Sequence, residues 1–367
     1  MPELSADERR RYGRHMVIPE VGEAGQAKLK AGSALVVGAG GLGSPTLLYL
    51  AAAGVGRIGI VEFDTVDESN LQRQVLYGTS DIGRPKIDAA RARLADVNPF
   101  VQLELHATRL DAKNVIDLVS RYDVVIDGTD NFAARYLVND ACVITRRPNV
   151  YGSVFRFEGQ LSVFAVDGGP CYRCLHPEPP APGVIPGCSE AGVLGVLPGL
   201  VGTLQASEAI KLIAGLGDPL IGRLLLIDAL GPRFREIRLP KDPACPVCGD
   251  NPSITSPVEY TLLCGDLPVE AASEISTDDL RRRLAAREPL LILDVREPHE
   301  HALDAIEGSH LVPLGELDRR AAELPTDRPI VAHCQAGIRS AKAAKLLRDK
   351  GFQAVSLKGG IAAWRGK

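Results

Sequence analysis

The sequence has no excess of basic residues. Lysine and arginine total 42 against 46 aspartates and glutamates, giving a net charge of −4 and a pI near 6.0. That removes the electrostatic footprint of a nucleic-acid binder. The first ten residues, MPELSADERR, lack an apolar core, so an export signal is not expected. No apolar run is both long and unbroken. Residues 31–56 are uncharged and long enough to span a bilayer, but seven glycines and Pro45 interrupt them. Residues 191–207 are likewise broken by four glycines and Pro198. The expected address is a reducing cytoplasm, with no membrane partner. The chain shows no internal repeat. Its eight cysteines are too few and too scattered over 367 residues for a disulfide scaffold. Each must be explained as a metal ligand, a reactive thiol or buried filler.

At roughly 100–200 residues per domain, the length accommodates two or three domains. Short β-rich runs at 33–37, 57–62, 101–106 and 123–127 alternate with helical patterns at 44–53 and 85–97. This predicts βαβ units and a parallel sheet covered on both faces. Further strands are expected at 160–166, 223–228 and 234–238, with a long helix over 199–214. Between 240 and 269 six prolines and little periodicity mark a turn-rich break. The pattern restarts with a helix at 277–286, strands at 290–294 and 330–333, a helix at 340–350 and a strand at 354–357. The predicted domains are 1–250 and 272–367, joined by a linker at 251–271. The fold class is α/β: a doubly wound, mixed or parallel Rossmann-like sheet, plus a small second α/β domain.

Gly38-Ala39-Gly40-Gly41-Leu42-Gly43 fits Gly-x-Gly-x-x-Gly between a strand and a helix. Glycines allow close backbone approach to phosphates, and the helix N-terminus offers free N–H groups. Glu62, about 20 residues on at the end of the second strand, is placed to hold ribose hydroxyls. The turn alone fits a dehydrogenase or an ATP enzyme. The residues that follow favour ATP. Asp67 to Gln74 is rich in polar donors, Lys86 follows, and Asp127-Gly128-Thr129-Asp130-Asn131 ends the fourth strand. Arg73 and Lys86 with the carboxylate of Asp130 suit a triphosphate and Mg²⁺. There is no Gly-x-x-x-x-Gly-Lys-Ser/Thr loop, so dispersed cations must neutralise the phosphates.

Two Cys-x-x-Cys pairs, Cys171/Cys174 and Cys245/Cys248, lie about 70 residues apart. Such a pair of knuckles completes a tetrahedral Zn²⁺ site, and four thiolates leave no open position, so the zinc is structural. Their Gly/Pro turns, with no clear helix start, argue against a redox pair. Cys188 follows a segment with five prolines between 177 and 186 and stands before an apolar helix. It is a candidate nucleophile with ordinary burial as the alternative. Cys142 reads as a helix core position and Cys264 as a linker residue. Cys334 follows a strand and opens a helix in His333-Cys334-Gln335-Ala336-Gly337-Ile338-Arg339-Ser340. Backbone N–H groups, the helix start and Arg339 are expected to surround its sulfur with positive potential. The loop is related to the Cys-x₅-Arg loop of protein phosphatases. Here arginine stands five positions after the cysteine and serine six, a loop better suited to sulfur than to phosphate.

Arg11-Tyr12-Gly13-Arg14, the glycine turn, Ser69 to Gln74, Lys86 and Asp130-Asn131 together resemble the MoeB/ThiF family of adenylyltransferases, relatives of ubiquitin-activating enzymes. The resemblance covers about residues 5–250. It implies a homodimer in which Gly41, Glu62, Asn70, Arg73, Lys86 and Asp130 contact ATP or its Mg²⁺. Arg14 would reach the nucleotide of the partner subunit. Ser69, Leu71, Gln72 and Asn131, from the same motifs, join the nucleotide-binding set. The family carries the four zinc ligands, and its sulfur-transferring members carry a reactive cysteine near Cys188. Glu62 stands where aspartate is common, and His15 where glutamine is common.

Residues 272–367 resemble a rhodanese domain through Leu293-Asp294-Val295-Arg296-Glu297-Pro298, Glu300, Ile306-Glu307-Gly308, Val312-Pro313 and the Cys334 loop. This implies a persulfide on Cys334, with Asp294 and Arg296 in structural roles. The fusion predicts ATP-dependent adenylation of the C-terminal Gly-Gly carboxylate of a ubiquitin-like sulfur carrier protein of the MoaD, ThiS or CysO kind. Sulfur transfer from Cys334 then gives a thiocarboxylate for molybdopterin, thiamin or cysteine biosynthesis. The persulfide donor would be a cysteine desulfurase or thiosulfate. The alternative is an ATP-dependent tRNA-modifying enzyme of the same adenylating fold, which the acidic pI disfavours. A nicotinamide dehydrogenase lacks a hydride-transfer constellation, and a pure binding module has no use for Arg73, Asp130 and Cys334 together.

Overall fold

The computed structural model describes residues 2–179, 192–231, 233–258, 274–335 and 337–366. The chain divides into two compact units, Met1–Gly265 and Asp266–Lys367. No helix among the described residues is long and apolar enough to cross a membrane.

The first unit holds an eight-stranded sheet of order β3-β2-β1-β4-β5-β6-β7-β8. The strands are β1 (Ser33–Val37), β2 (Arg57–Val61), β3 (Gln102–His106), β4 (Val124–Asp127), β5 (Asn149–Phe155), β6 (Glu158–Phe164), β7 (Arg223–Asp228) and β8 (Arg233–Arg238). The first five pair in parallel and the last three are added antiparallel. The sheet is thus the doubly wound, mixed kind expected. β1 is buried along its whole length because both faces are covered. Ala34 and Val36 face α3 (Gly43–Ala53), α4 (Lys86–Val97) and α8 (Val196–Ala214). Leu35 and Val37, on the alternate positions, face α5 (Val115–Ser120) and α6 (Phe132–Thr145). Two helices precede the sheet, α1 (Ala6–Met16) and α2 (Gly22–Ala31), and a one-turn helix, α7 (Tyr172–Leu175), follows β6.

Two strand expectations shift. The strand expected at 160–166 runs two residues earlier, and β5 was not expected at all. They form one hairpin whose turn places Arg156 at φ +52°, a left-handed position held by a residue other than glycine.

The second unit is a parallel five-stranded sheet of order β11-β10-β12-β13-β9. Its strands are β9 (Glu274–Ile275), β10 (Leu291–Asp294), β11 (His310–Leu311), β12 (Ile330–His333) and β13 (Ala354–Leu357). Leu293, Ile330 and Ala332 pack with Ala343, Ala344 and Leu347 of α12 (Ile338–Asp349). Ile292, Val331 and Leu357 pack on the opposite face with Leu280 of α9 (Thr277–Ala285) and Ile361 of α13 (Gly360–Trp364). Two shorter helices, α10 (Pro298–Leu303) and α11 (Leu314–Arg320), fill the remaining crossovers.

Candidate functional site

Strand order reverses between β1 and β4, and that switch point is where open α/β sheets bind ligands. The turn after β1 and the turn after β4 interlock there. Gly38 sits at φ +88° and donates its N–H to Val61 O at 2.9 Å. A Cβ on Gly128 would lie 2.9 Å from Val37 O, and one on Gly43 would collide with Gly38 O. Only glycines permit this approach.

Glu62 is buried. Its carboxylate accepts from Ala39 N at 3.0 Å and from Phe63 N and Asp64 N at 2.8 and 2.9 Å. The residue expected at the ribose thus first fixes the glycine turn. Ala39 O in turn accepts from Tyr77 Oη at 2.9 Å and Ser44 Oγ at 3.3 Å. The backbone N–H and the carbonyl of Ala39, in two successive peptides of the turn, are therefore both clamped. Tyr77 had no local signal in the sequence.

Asp67 caps the short turn that carries Ser69 and Asn70, accepting from Ser69 N at 2.8 Å. Arg73 donates to Ser69 O at 3.0 Å and lies within reach of Gly41, whose Cβ position is 3.6 Å from Arg73 Cγ. Gln72 packs on Gly195 at the start of α8. Leu71 is partly buried against the main core. Lys86 is 5% exposed, with its Nζ 3.3 Å from Asp64 Oδ2. It is therefore a buried paired cation and not a surface one. Arg14 is exposed near the end of α1.

At the end of β4 the four polar side chains divide their work. Asp127 is buried and accepts from Thr129 N and Oγ1 at 3.0 and 2.6 Å, and burial pushes its carboxyl above the usual range. Asn131 caps α6 by accepting from Ala134 N at 2.9 Å. Asp130 stays exposed. Of this run, it is the carboxylate left open to a cation. Behind it, Arg135 donates to Thr129 O at 3.3 Å and Gln205 donates to Asp127 O at 2.7 Å. Sequence reasoning missed both. Gln205 could have been found, since a polar residue inside the apolar α8 must be buried with partners.

The two Cys-x-x-Cys pairs meet. The four sulfurs lie within 4.8 Å of one another, with Cys171–Cys245 at 3.6 Å and Cys174–Cys248 at 3.4 Å. Cys171 caps α7, so the first pair does open a short helix, contrary to expectation. Hydrogen bonding from Cys174 and the other sulfurs pushes the Cys171 thiol up, while bonding from Cys171 pulls Cys245 down. Such crowding of thiols is relieved by a thiophilic cation. Backbone donors Cys171 N and Asp242 N, each 3.4 Å from Cys174 Sγ, add the N–H support typical of a bound thiolate. The knuckle is anchored to α6: Arg173 donates to both oxygens of Asp140 at 2.9 and 3.0 Å, and Tyr172 N donates to Asn139 Oδ1 at 2.7 Å.

Cys142 is fully buried in the core, and burial pushes its thiol up. Cys188 and Cys264 lie outside the described residues.

In the second unit Cys334 follows β12, at the C-terminal edge of the parallel sheet, and is 2% exposed. Gly337, at φ +99°, donates its N–H to the sulfur at 3.1 Å, and Ser340 Oγ lies 3.6 Å from it. Arg339, expected beside the sulfur, is engaged with an acidic partner. Its guanidinium makes two 2.7 Å bonds to Glu300, and these hold the Glu300 carboxyl low despite burial. Beneath the loop, Asp294 accepts from Arg296 and bonds His301 Nδ1 at 2.9 Å. Those bonds outweigh burial and hold its carboxyl at about 2. Asp294 and Arg296 are buried.

Comparison with known proteins follows this division. The ThiF family model matches residues 12–247, and the rhodanese-like domain model matches residues 276–367. The chain belongs to the ThiF family. It carries a rhodanese-like domain at its C-terminal side, and it is an enzyme of the adenylyltransferase and sulfurtransferase type. It is 49% identical over 373 residues to the probable adenylyltransferase/sulfurtransferase MoeZ of Mycobacterium tuberculosis, covering 98% of this chain and 94% of that one. It is 52% identical over 260 residues to the sulfur carrier protein adenylyltransferase of Thermus thermophilus, covering 70% of this chain and 96% of that one. Against the adenylyltransferase and sulfurtransferase MOCS3 of Bos taurus the identity is 42% over 395 residues, covering 99% and 87%. Among solved structures, E. coli MccB with ATP shares the fold, with a TM-score of 0.59 at 22% identity, covering 65% of this chain and 75% of MccB.

Proposed function

We propose that the protein adenylates the C-terminal Gly-Gly carboxylate of a ubiquitin-like sulfur carrier and then converts it to a thiocarboxylate with sulfur carried on Cys334. The observation that carries this reading is the pairing, on one chain, of a clamped glycine turn at a topological switch point with a cysteine cradled by a backbone N–H. Relatives along nearly the whole length are named for both activities.

The residues at the switch point fit a nucleotide. Gly41 and the start of α3 present N–H groups to phosphate oxygens, and Glu62, held 3.0 Å from Ala39 N, sits at the ribose end. Ser69, Asn70, Leu71, Gln72 and Asn131 line the approach, and Arg73 and Lys86 offset phosphate charge. Arg14 of a partner copy completes the set in a homodimer. Asp130, the open carboxylate, would hold Mg²⁺, which offsets charge on the phosphates when bound with ATP. The carrier carboxylate attacks the α-phosphate, forming acyl adenylate and releasing pyrophosphate. The four clustered cysteines fit a structural Zn²⁺ closed to substrate.

In the second half the Cys334 persulfide attacks the activated carbonyl, and AMP leaves. The resulting acyl disulfide is cleaved by a second thiol, Cys188, which releases the thiocarboxylate and leaves a Cys334–Cys188 disulfide for a cellular thiol to reduce.

The test is the intact mass of candidate carriers incubated with enzyme, ATP and a persulfide donor. A gain equal to the difference between sulfur and oxygen is the expected result. No gain with any carrier ending in Gly-Gly, together with absent ATP–pyrophosphate exchange, overturns the reading.

A further inference from the structure

The Cys334 loop has a feature that the adenylation and transfer chemistry does not explain. Phosphatase loops place arginine six positions after the cysteine, facing a dianion. Here that position holds Ser340, whose hydroxyl lies 3.6 Å from Cys334 Sγ and bonds Gly337 O at 2.9 Å and Ser356 Oγ at 2.9 Å. The neighbouring Arg339, the cation of the loop, is turned to α10. Both of its terminal nitrogens lie 2.7 Å from the two oxygens of Glu300. Glu300 is fixed in turn by Glu297 N, which donates to its Oε2 at 2.9 Å. The pair is largely shielded, with side chains 13% and 24% exposed. Bidentate, charge-assisted geometry of this kind is among the stronger side-chain contacts. Among the described residues, the sulfur is thus faced by one backbone N–H and one neutral hydroxyl.

We infer that Glu300 is a specificity-determining residue that sequesters the charge of Arg339 and so selects a thiol-bound persulfide over thiosulfate as the sulfur donor. This rests on the reading of Cys334 as the sulfur carrier. The two donors differ in the charge they bring. With a persulfide R–S–SH, the Cys334 thiolate attacks the outer sulfur. The new S–S bond forms as the donor's own S–S bond breaks, the electron pair leaves on R–S⁻, and the proton stays on the transferred sulfur. One negative charge is present throughout. With thiosulfate the same attack brings a dianion against the thiolate and expels sulfite, so three negative charges share the cradle. A cation facing the sulfur lowers that barrier. Glu300 removes the cation without removing the arginine.

The experiment measures persulfide loading of Cys334 in the full-length chain by intact mass, with glutathione persulfide and with thiosulfate as separate donors. Glu300→Gln is expected to raise the loading rate from thiosulfate at least tenfold and to leave that from glutathione persulfide within about twofold. Glu300→Asp keeps the carboxylate and the preference of the parent. Glu300→Gln combined with Arg339→Gln loses the gain. An unchanged ratio of the two donors in Glu300→Gln overturns the inference, as does a parallel fall with both, which marks the ion pair as loop scaffolding. Failure of the parent to load from either donor sinks instead the reading of Cys334 as sulfur carrier.

Discussion

Asp140 and Arg173 face each other in the interior of the first unit, with the guanidinium 2.9 and 3.0 Å from the two carboxylate oxygens and side chains 0% and 4% exposed. The pair joins the middle of α6 to the first cysteine knuckle. A buried ion pair adds little net stability, but removing one partner leaves a charge uncompensated. Asp140→Ala is expected to destabilise the first unit by about 3–5 kcal/mol. Calorimetry of the full chain reads this as a fall in the transition of that unit, with the other transition unmoved. A loss under about 1 kcal/mol means that water reaches Arg173.

The sulfur cluster leads to a metal prediction. Gently purified protein is expected to hold one zinc per chain. Cys245→Ser, which removes one of the four sulfurs, loses it, while Cys142→Ser keeps it, since Cys142 lies in the core and not in the cluster. Elemental analysis of the three proteins decides the matter. A parent without zinc, or a Cys245→Ser protein with a full equivalent, contradicts the assignment.

Two glycines separate the half-reactions. A Cβ on Gly43 would strike Gly38 O inside the nucleotide turn, and one on Gly360 would strike Cys334 O beneath the sulfur loop. Displacing a site by about 1 Å costs on the order of 100-fold in rate. Gly43→Ala is expected to lose ATP–pyrophosphate exchange by that factor and to keep persulfide loading of Cys334. Gly360→Ala is expected to do the reverse. If either variant loses both activities, the two units do not work independently in these assays.

Much of this was readable in the sequence, and the failures share a cause. β7, β12 and β13 have the expected bounds because turn residues or a change of periodicity flank them. β5 was invisible because Asn149 and Gly152 interrupt its apolar pattern. Gly152 leaves the room that the Gln205 side chain fills, a contact from α8 far along the chain. The hairpin after it turns on Arg156, not on a glycine, so no turn signal marks it. The site divides in the same way. Local motifs identified the glycine turn, the cysteine pairs and the Cys334 loop. Partner choice was hidden wherever it is long-range: Glu62 with Ala39, Tyr77 with Ala39, and Arg339 with Glu300, 39 residues away.

The last prediction concerns acid stability of the second unit. His333 is wholly buried beside the cysteine, and neither ring nitrogen has a hydrogen-bond partner among the described residues. Its nearest charge is Asp294, with Oδ2 3.8 Å from Nε2. Burial pulls its pKa down to about 4, so the folded unit keeps the ring neutral where the unfolded chain, with an ordinary value near 6.5, binds a proton. The unfolded state therefore holds more protons between these values, and stability rises with pH across that window. The contribution is fully present above about pH 6.5 and is lost as pH falls towards 4, a swing of about 3 kcal/mol. Asp294, held at about 2, carries its own dependence at lower pH and does not mask it. His333→Leu is expected to flatten the dependence between pH 4 and 6.5 while leaving the fall below pH 4 in place. Urea unfolding followed through Trp364, the single tryptophan of the chain, measures it. An equally steep slope in His333→Leu assigns the proton to another group.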